Sequence, residues 1–259
     1  MKVVMLQTDI CWAKSDENVR HAQQLMADAP DGDLYVLPEM WSTGFATQPE
    51  GIACPESDND ALRWMQQTAQ TRQCAISGSL AVRAGDGSYR NRHYFVNGRA
   101  GETYYYDKHH LFSYGGENQF YTSGQQHTIV NYMGFRLLLQ TCYDLRFPCW
   151  SRYADGREYD AIICVANWPS SRQSAWQLLL RARAIENQCF VIGVNRVGSD
   201  PNCDYSGGSV IIDAKGRDLA TCPMNEESTA TATLDMDALR AFREKFPVLN
   251  DRDEYIIKM

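Results

Sequence analysis

The strongest constraint on the fold is an order of strand-like and helix-like segments that occurs twice along the chain. Short runs of β-branched and apolar residues alternate with longer segments in which apolar residues recur at helical spacing. This alternation is typical of layered α/β proteins. Each half has the order β-α-β-α-β-β, although no residue-level repeat accompanies it. We therefore predict an α/β fold of four layers, an α-β-β-α sandwich in which two sheets pack face to face under helices.

In the first half, strands are predicted for "KVVMLQTD", "DLYVLPE" and "CAISGSLAV", and a helix from about Asp16 to Ala29. The segment "SDNDALRWMQQTAQT" predicts a second helix, with Ser57 as its N-cap. A hairpin is expected to turn at Asn97 and Gly98.

In the second half, strands are predicted for "FRLLLQTCYD", "DAIICVANW" and "CFVIGVNRV", and a hairpin for "GGSVIIDAKGRDLATC". A short helix follows Pro148. No Pro-, Gly- or Ser-rich linker divides the chain, so we predict a single domain over residues 1–259. The helix "SAWQLLLRARAIENQ" has five apolar residues at helical spacing: Ala175, Leu178, Leu179, Ala182 and Ile185.

Charge and hydropathy exclude several classes of protein. The net charge is −7 and no run of Lys or Arg is present, so we expect no nucleic-acid partner. The longest wholly apolar run, "AIICVA", is far too short to span a bilayer, and "MKVVMLQTD" lacks the length of a signal peptide. The nine cysteines include no C-x-x-C pair and no zinc-ligand spacing. We therefore expect reduced thiols in the cytoplasm, no metal and no cofactor.

Three chemically reactive residues lie at the ends of predicted strands. Glu39 ends "DLYVLPE", Lys108 ends "TYYYDK" and Cys142 ends "RLLLQTC". Ligands of α/β sheets bind outside the carboxyl ends of strands, so the three side chains are candidates for one site. A carboxylate can take a proton from a thiol, and an ammonium can stabilise the oxyanion formed when the thiolate attacks an amide or nitrile carbon. The backbone N–H of Tyr143 is the candidate second oxyanion donor.

Each of these residues also has a structural interpretation. Cys142 fits a buried core thiol, Glu39 a solvated strand end, and Lys108 a surface partner of Asp107. A papain-like pairing of Cys142 with His109 or His110 remains open, because a catalytic histidine is distant in sequence. A non-catalytic thiol-bearing binding or redox protein would use Cys142 or Cys149 alone.

The motifs "VLPEMWSTGF", "YYYDKHHLF" and "TCYDLRFP" resemble the three catalytic motifs of the nitrilase, or carbon–nitrogen hydrolase, superfamily, in the same order. The resemblance extends over nearly the whole chain. It implies Glu39 as general base, Lys108 as oxyanion stabiliser and Cys142 as nucleophile. It also implies the sandwich fold, assembly into dimers or higher homo-oligomers, and a further acid in the loop after the lysine, whose place Glu117 matches. Glu117 equally fits a plain surface residue.

Within the superfamily, "CYDLRFP", "ANWPSSR", "RARAIENQ" and "NRVGSD" are most similar to bacterial omega-amidases. This similarity implies hydrolysis of the terminal amide of 2-oxoglutaramate or 2-oxosuccinamate. Such substrates carry a carboxylate, which a guanidinium fork binds well. Arg172 is the first candidate and Arg146 the second, although Arg172 also fits a helix-start surface residue and Arg146 a partner of an acid in the turn after Cys142.

Asn167 and Trp168 follow the strand "DAIICVANW", so both are expected at the pocket rim, where Trp168 also fits a packing role. The alternative substrate is deaminated glutathione or another small amide, because amidases acting on deaminated glutathione share "CYDxRFP" and "RARAIE". A nitrile is a less favoured substrate.

Overall fold

A computed structural model describes residues 1–257. The first half of the chain forms one group of strands and helices in the predicted order, with one short extra strand, β3. Its elements are β1 (Lys2–Gln7), α1 (Ser15–Asp28), β2 (Leu34–Val36), β3 (Cys54–Pro55), α2 (Asp60–Arg72), β4 (Ala75–Arg83), β5 (Tyr89–Asn97) and β6 (Glu102–Asp107).

The second half repeats the order with additional strands and ends in a strand and a helix that the sequence pattern did not predict. Its elements are β7 (Ile129–Tyr132), β8 (Phe135–Thr141), α3 (Pro148–Ser151), β9 (Ala161–Ala166), α4 (Gln173–Glu186), β10 (Phe190–Asn195), β11 (Val197–Ser199), β12 (Asp204–Ser206), β13 (Val210–Ile212), β14 (Asp218–Thr221), β15 (Ser228–Thr233) and α5 (Met236–Lys245).

The strands form two large sheets. The first has the order β15-β1-β2-β4-β5-β6, with β3 paired to β4, and the second has the order β14-β13-β10-β9-β8-β7. In both, the central strands run parallel, because β1 pairs with β2 and β2 with β4, while β8 pairs with β9 and β9 with β10. Glu39, Cys142 and Asn167 follow the carboxyl ends of β2, β8 and β9, respectively. A separate hairpin of β11 and β12 lies outside both sheets.

Alternate residues of each central strand pack into different layers. Val3 and Met5 of β1 lie in the apolar core between the two sheets, whereas Val4 and Leu6 pack under α1 and α2. In β8, Leu137 and Leu139 face the first sheet, and Leu138 packs toward α4. Strands buried on both faces explain why these runs are continuously apolar rather than alternating. The predicted α-β-β-α sandwich is confirmed.

The C-terminal part of the chain breaks the symmetry of the two halves. β15 pairs antiparallel with β1, with Lys2 opposite Thr233 and Gln7 opposite Ser228, so a strand from the end of the chain completes the first sheet. Its sequence, "STATAT", has few large apolar residues, and its side chains are only half-buried. This composition is why the apolar pattern did not reveal the strand.

Two local predictions were wrong. Ser57 does not cap α2, because the Oδ1 atom of Asn59 accepts the Leu62 N–H at 3.0 Å and Ser57 lies in a preceding 3-10 turn. In α4, the apolar series that includes Leu178 and Ile185 does not form the buried face: these two side chains are 69% and 51% exposed. The residues that pack against the second sheet are instead Trp176, Leu180, Arg183 and Ala184.

We expect Asn59→Ala to lower the free energy of unfolding by about 1 kcal/mol, because the substitution removes the side-chain oxygen that accepts the Leu62 N–H at the start of α2. Ser57→Ala is the matched control and should change it by less than about 0.5 kcal/mol, since Ser57 is exposed and caps nothing. Urea denaturation followed by circular dichroism measures both. A larger loss at Ser57 than at Asn59 would contradict the capping assignment.

Candidate active site

Three charged side chains meet in the interior at the carboxyl ends of the strands. The Lys108 ammonium lies 2.8 Å from Glu39 Oε1 and 2.9 Å from Glu117 Oε2, and all three side chains are completely buried. Glu39 follows β2, Lys108 follows β6, and Glu117 lies in a 3-10 turn at Glu117–Gln119. The structure therefore brings together three of the four predicted catalytic side chains, and Glu117 is not a surface residue.

Neutral donors fix the two carboxylates. Asn91 Nδ2 donates to Glu39 Oε1 at 2.8 Å and to Glu117 Oε1 at 2.9 Å. The backbone N–H of Asn167 donates to Glu39 Oε2 at 2.8 Å, and that of Phe112 donates to Glu117 Oε2 at 2.6 Å. Asn91 was not predicted from the sequence, because a polar residue in a strand carries no local indication of the group it contacts.

The surroundings determine the charge states in the cluster. Burial alone would lower the pKa of Lys108, but the carboxylates of Glu117 and Glu39 raise it well above the ordinary value for a lysine. Burial raises the pKa of Glu117, Lys108 opposes that rise, and the charge of Glu39 adds to it. Lys108 is therefore a permanent ammonium, suited to hold a developing negative charge rather than to exchange protons.

Cys142 lies directly after β8, at the start of a 3-10 turn over Cys142–Arg146. Its φ angle is +45°, in the left-handed region that a residue with a side chain rarely adopts. Its Sγ atom is 4.0 Å from the Asn167 carbonyl oxygen. Burial, and then the Glu39 carboxylate, raise the pKa of the Cys142 thiol well above the ordinary value, while Lys108 opposes the shift. Both effects favour the neutral thiol over the thiolate.

Asp144 holds the turn that carries Cys142. Its Oδ2 accepts the Thr141 N–H at 3.0 Å and the Tyr106 hydroxyl at 2.8 Å, and its Oδ1 accepts the His110 N–H at 3.0 Å. From α4, Arg183 donates to the Leu145 carbonyl at 2.6 Å. These bonds fix the backbone on both sides of Cys142, so that its unfavourable φ angle is imposed by the surroundings.

A cavity of about 1080 Å³ opens beside Cys142. Tyr143, Arg146, Asn167, Trp168 and Arg172 all line this cavity, so the structure brings the predicted substrate-binding residues to one place. Other lining residues are Trp12, Phe45, Tyr89, Phe112, Phe120 and Cys203. These five aromatic side chains were not identified from the sequence, because four separate segments of the chain contribute them.

Arg172 directly precedes α4, as the helix-start interpretation expected, whereas the interpretation of Arg146 as a partner of an acid is wrong for residues 1–257. No acid pairs with Arg146 or Arg172 among residues 1–257; the Arg146 guanidinium lies 4.9 Å from the Trp168 ring centroid, and that of Arg172 lies 5.4 Å from the Phe112 ring centroid. Arg146 thus does not hold the turn through an ion pair, and Arg172 is half-buried at the cavity wall. Both retain N–H donors for an anionic ligand.

Asn167 and Trp168 are more deeply placed than a rim position suggests, at 4% and 2% exposed. Asn167 Nδ2 donates to the Glu39 backbone carbonyl at 2.7 Å, so it also positions Glu39. Trp168 Nε1 donates to the Arg172 carbonyl at 2.8 Å, and its ring lies 5.5 Å from that of Trp176. Trp168 thus has the packing role as well as a face in the cavity.

His109 and His110, the histidines of the papain-like alternative, contact groups other than the Cys142 thiol. His109 Nδ1 lies 2.6 Å from the Gly124 carbonyl oxygen, and its ring stacks on Trp150 with centroids 3.8 Å apart. His110 Nδ1 lies 2.9 Å from Asp144 Oδ1, and its ring stacks on Phe147. Among residues 1–257, no histidine lines the cavity beside Cys142.

The nine cysteines are all free thiols, and only Cys142 and Cys203 line the cavity among the residues described. Cys149 is exposed in α3, whereas Cys74, Cys164, Cys189 and Cys222 are buried. Within residues 1–257, no helix is both long and apolar enough to cross a membrane.

The chain matches the family described as carbon-nitrogen hydrolase over residues 2–244, and it therefore belongs to that family. Members of this family are hydrolases that act on carbon–nitrogen bonds, as the resemblance in the sequence motifs implied.

Similar proteins cover nearly the whole chain. Omega-amidase YafV of Escherichia coli (strain K12) is 42% identical over 256 residues, which cover 98% of each chain. The 2-oxoglutaramate amidase of Bacillus subtilis (strain 168) is 34% identical over 248 residues, or 95% of each chain. The crystal structure of XC1258 from Xanthomonas campestris, a CN-hydrolase superfamily protein with an arsenic adduct in the active site, has a TM-score of 0.94 at 35% identity. This comparison covers 100% of the present chain and 99% of the other.

Because burial raises the pKa of Cys142, its thiol should stay protonated until the pH exceeds the ordinary thiol pKa of about 8.5. The difference in ultraviolet thiolate absorbance between the wild type and Cys142→Ala should therefore show no step between about pH 5 and pH 8. A step in that range would mean that Cys142 and Lys108 form a resting ion pair, which is the opposite charge arrangement.

Proposed function

We propose that this protein is an omega-amidase that hydrolyses the terminal amide of 2-oxo-dicarboxylic acid monoamides, such as 2-oxoglutaramate and 2-oxosuccinamate, to the dicarboxylate and ammonia. The observation that carries the proposal is the Glu39–Lys108–Glu117 cluster, buried next to the Cys142 thiol at a cavity with two unpaired guanidinium groups. Omega-amidase YafV and 2-oxoglutaramate amidase, as relatives over nearly the full length, support the choice of substrate.

In the first half of the reaction, Glu39 takes the proton of Cys142 as Sγ attacks the amide carbon. The carbonyl oxygen becomes an oxyanion, which Lys108 and the Tyr143 backbone N–H stabilise. Glu39 then returns the proton to the amide nitrogen, the C–N bond breaks, and ammonia leaves a thioester on Cys142. A raised thiol pKa suits this sequence, because the proton moves only when the carbon–sulfur bond forms.

In the second half, Glu39 takes a proton from water, and the resulting hydroxide attacks the thioester. The C–S bond breaks, the acid is released, and the proton returns to the sulfur. Glu117 positions Lys108, whose ammonium donates to Glu117 Oε2 at 2.9 Å, and Asn91 links the two carboxylates by donating to both. No metal or cofactor enters these steps.

The carboxylate of the substrate binds at the arginine wall of the cavity. Arg172 is the primary partner and Arg146 the second, since each guanidinium faces the cavity without an acid partner among residues 1–257. Planar N–H forks bind carboxylates in bidentate fashion. Asn167 and Trp168 close the same wall. A substrate with an amide at one end and a carboxylate at the other then spans from Cys142 to Arg172.

The size of the cavity favours a second candidate substrate. Pockets of 300–1,000 Å³ are typical for drug-sized ligands, and about 1080 Å³ exceeds what a five-carbon acid requires. An amide whose nitrogen carries a further substituent, as in deaminated glutathione, would use the additional space. Comparing product release from the two amides decides between the candidates.

We also infer a single domain over residues 1–259, a cytoplasmic location and a homodimer or higher homo-oligomer. The core shared by both sheets supports one domain, and nine free thiols support a reducing compartment. The α4 patch, made by the exposed side chains of Leu178 and Ile185, supports self-association, because large apolar groups on an outer helix are costly to leave in water.

We expect the wild type to release ammonia from 2-oxoglutaramate and Cys142→Ala to release none, because no other side chain would form the thioester. Glu39→Gln should be nearly as damaging, since a neutral amide cannot accept the thiol proton. Cys149→Ala is the matched control and should keep nearly full activity, because Cys149 is exposed and outside the cavity. A coupled ammonia assay measures all four proteins. Equal losses in Cys142→Ala and Cys149→Ala would refute the assignment of the nucleophile.

Light scattering of the wild type should give at least twice the chain mass, and Leu178→Glu should shift the protein to monomers by placing a charge in the α4 patch. Tyr105→Glu is the control, because Tyr105 is similarly exposed, at 50%, but lies on β6 of the other sheet. A monomeric wild type, or an assembly unaffected by Leu178→Glu, would rule out this interface.

A further inference from the structure

Phe112 lies between the buried charged cluster and the arginine wall of the cavity. Its backbone N–H donates to Glu117 Oε2 at 2.6 Å, and the same carboxylate oxygen lies 2.9 Å from the Lys108 ammonium. The Phe112 side chain lines the cavity. One residue therefore contacts the cluster through its backbone and the ligand space through its ring.

The Phe112 ring is held in one place by its neighbours. It meets the Tyr143 ring edge to face, with centroids 5.1 Å apart, and lies 6.3 Å from the Phe45 ring. A Cβ atom on Gly115 would come within 2.7 Å of Phe112 Cδ1, so the loop requires glycine there for the ring to occupy its position. The ring is thus a fixed surface rather than a mobile side chain.

The guanidinium of Arg172 lies over this surface. Its guanidinium carbon lies 5.4 Å from the Phe112 ring centroid, and in residues 1–257 its side chain forms no hydrogen bond or ion pair with another residue. A guanidinium over an aromatic face is attracted by the ring and keeps its N–H donors free at the edge. An ion pair with an acid would have occupied those donors.

We propose that Phe112 is a positioning residue that orients Arg172 for the carboxylate of the substrate and thereby determines specificity for amides that carry a distal anion. The inference rests on the proposed function, because it assigns the carboxylate to Arg172. Its physical basis is pre-organisation: an arginine already restricted to one orientation loses less conformational freedom on binding than one that is free.

The test measures binding rather than turnover, in the Cys142→Ala background, by calorimetry with 2-oxoglutaramate and with pentanamide, a neutral amide of the same chain length. We expect Phe112→Leu to raise the Kd for 2-oxoglutaramate by about five- to tenfold. The Kd for pentanamide should stay within about twofold, because that amide has no anion for Arg172. Phe112→Tyr, which keeps the aromatic face, should restore the affinity.

Two further variants separate the role of the ring from a general effect on the loop. In an Arg172→Gln background, Phe112→Leu should cause no additional loss, because the two residues act through one contact. Ser113→Ala is the matched control: Ser113 follows Phe112 on the same loop, but its side chain is exposed and, among the described residues, does not line the cavity. It should bind 2-oxoglutaramate as the parent does.

The outcomes distinguish this inference from the proposed function. If the Cys142→Ala parent does not bind 2-oxoglutaramate, or Arg172→Gln leaves its Kd unchanged, the substrate assignment fails and the role of Phe112 fails with it. If Arg172→Gln weakens binding but Phe112→Leu does not, or if their effects are additive, only the role of Phe112 is refuted. Equal weakening of both amides by Phe112→Leu would also refute it, because the ring would then support the loop and not the arginine.

Discussion

The ammonium of Lys108, buried between the carboxylates of Glu39 and Glu117, is the interaction on which the rest of the site depends. Removing three charges from water is costly, and their mutual attraction offsets that cost only when further hydrogen bonds satisfy the remaining oxygen atoms. Asn91 and the backbone N–H groups of Asn167 and Phe112 provide those bonds. The cluster therefore requires strand β5 and three separate loops to be in place at once.

The same requirement explains why the site lies where the two sheets meet. Glu39 and Lys108 follow strands of the first sheet, whereas Cys142 and Asn167 follow strands of the second. The apolar residues between the sheets fix their relative position, and the Asn167–Glu39 hydrogen bonds join them at the strand ends. Cys142 lies at this junction with a positive φ angle. Asp144 accepts a hydrogen bond from the Thr141 N–H, and Arg183 donates one to the Leu145 carbonyl, so the turn is held on both sides of Cys142.

The sequence predicted the residues whose chemistry is unusual at a strand end, but not the residues that support them. Glu39, Lys108 and Cys142 became candidates because each ends a predicted strand, their roles were implied by the family resemblance, and Glu117 was found only through that resemblance. Asn91 and Asp144 were missed, because which partner a polar side chain contacts depends on pairing between distant strands. Phe112 was missed because nothing in its neighbours indicates that its ring faces an arginine.

The fold also divides into elements that the local sequence predicts and elements that depend on distant partners. Strands with continuous apolar runs and amphipathic helices were predicted, because burial of each segment is visible within the segment itself. β15 was not predicted, because its Thr and Ala residues are only half-buried and form a strand by pairing with β1, which is distant in sequence. In α4, two sets of apolar residues had helical spacing, and only the sheet beneath determines that Trp176 and Leu180 pack inward. The spacing of apolar residues alone does not tell which of the two helix faces is buried.

The pairing of β15 with β1 affects how the protein is made. β1 is synthesised first, but its partner along one edge, β15, ends only at Thr233. Until then a nascent chain has an open edge beside β1, which can pair with other extended segments. Completion of the first sheet therefore comes late in translation, after Cys142 has left the ribosome. A chain that stops before β15 would carry the thiol without a closed first sheet to hold Glu39 and Lys108 against it, so the reactivity of Cys142 depends on a strand that is made about 90 residues later.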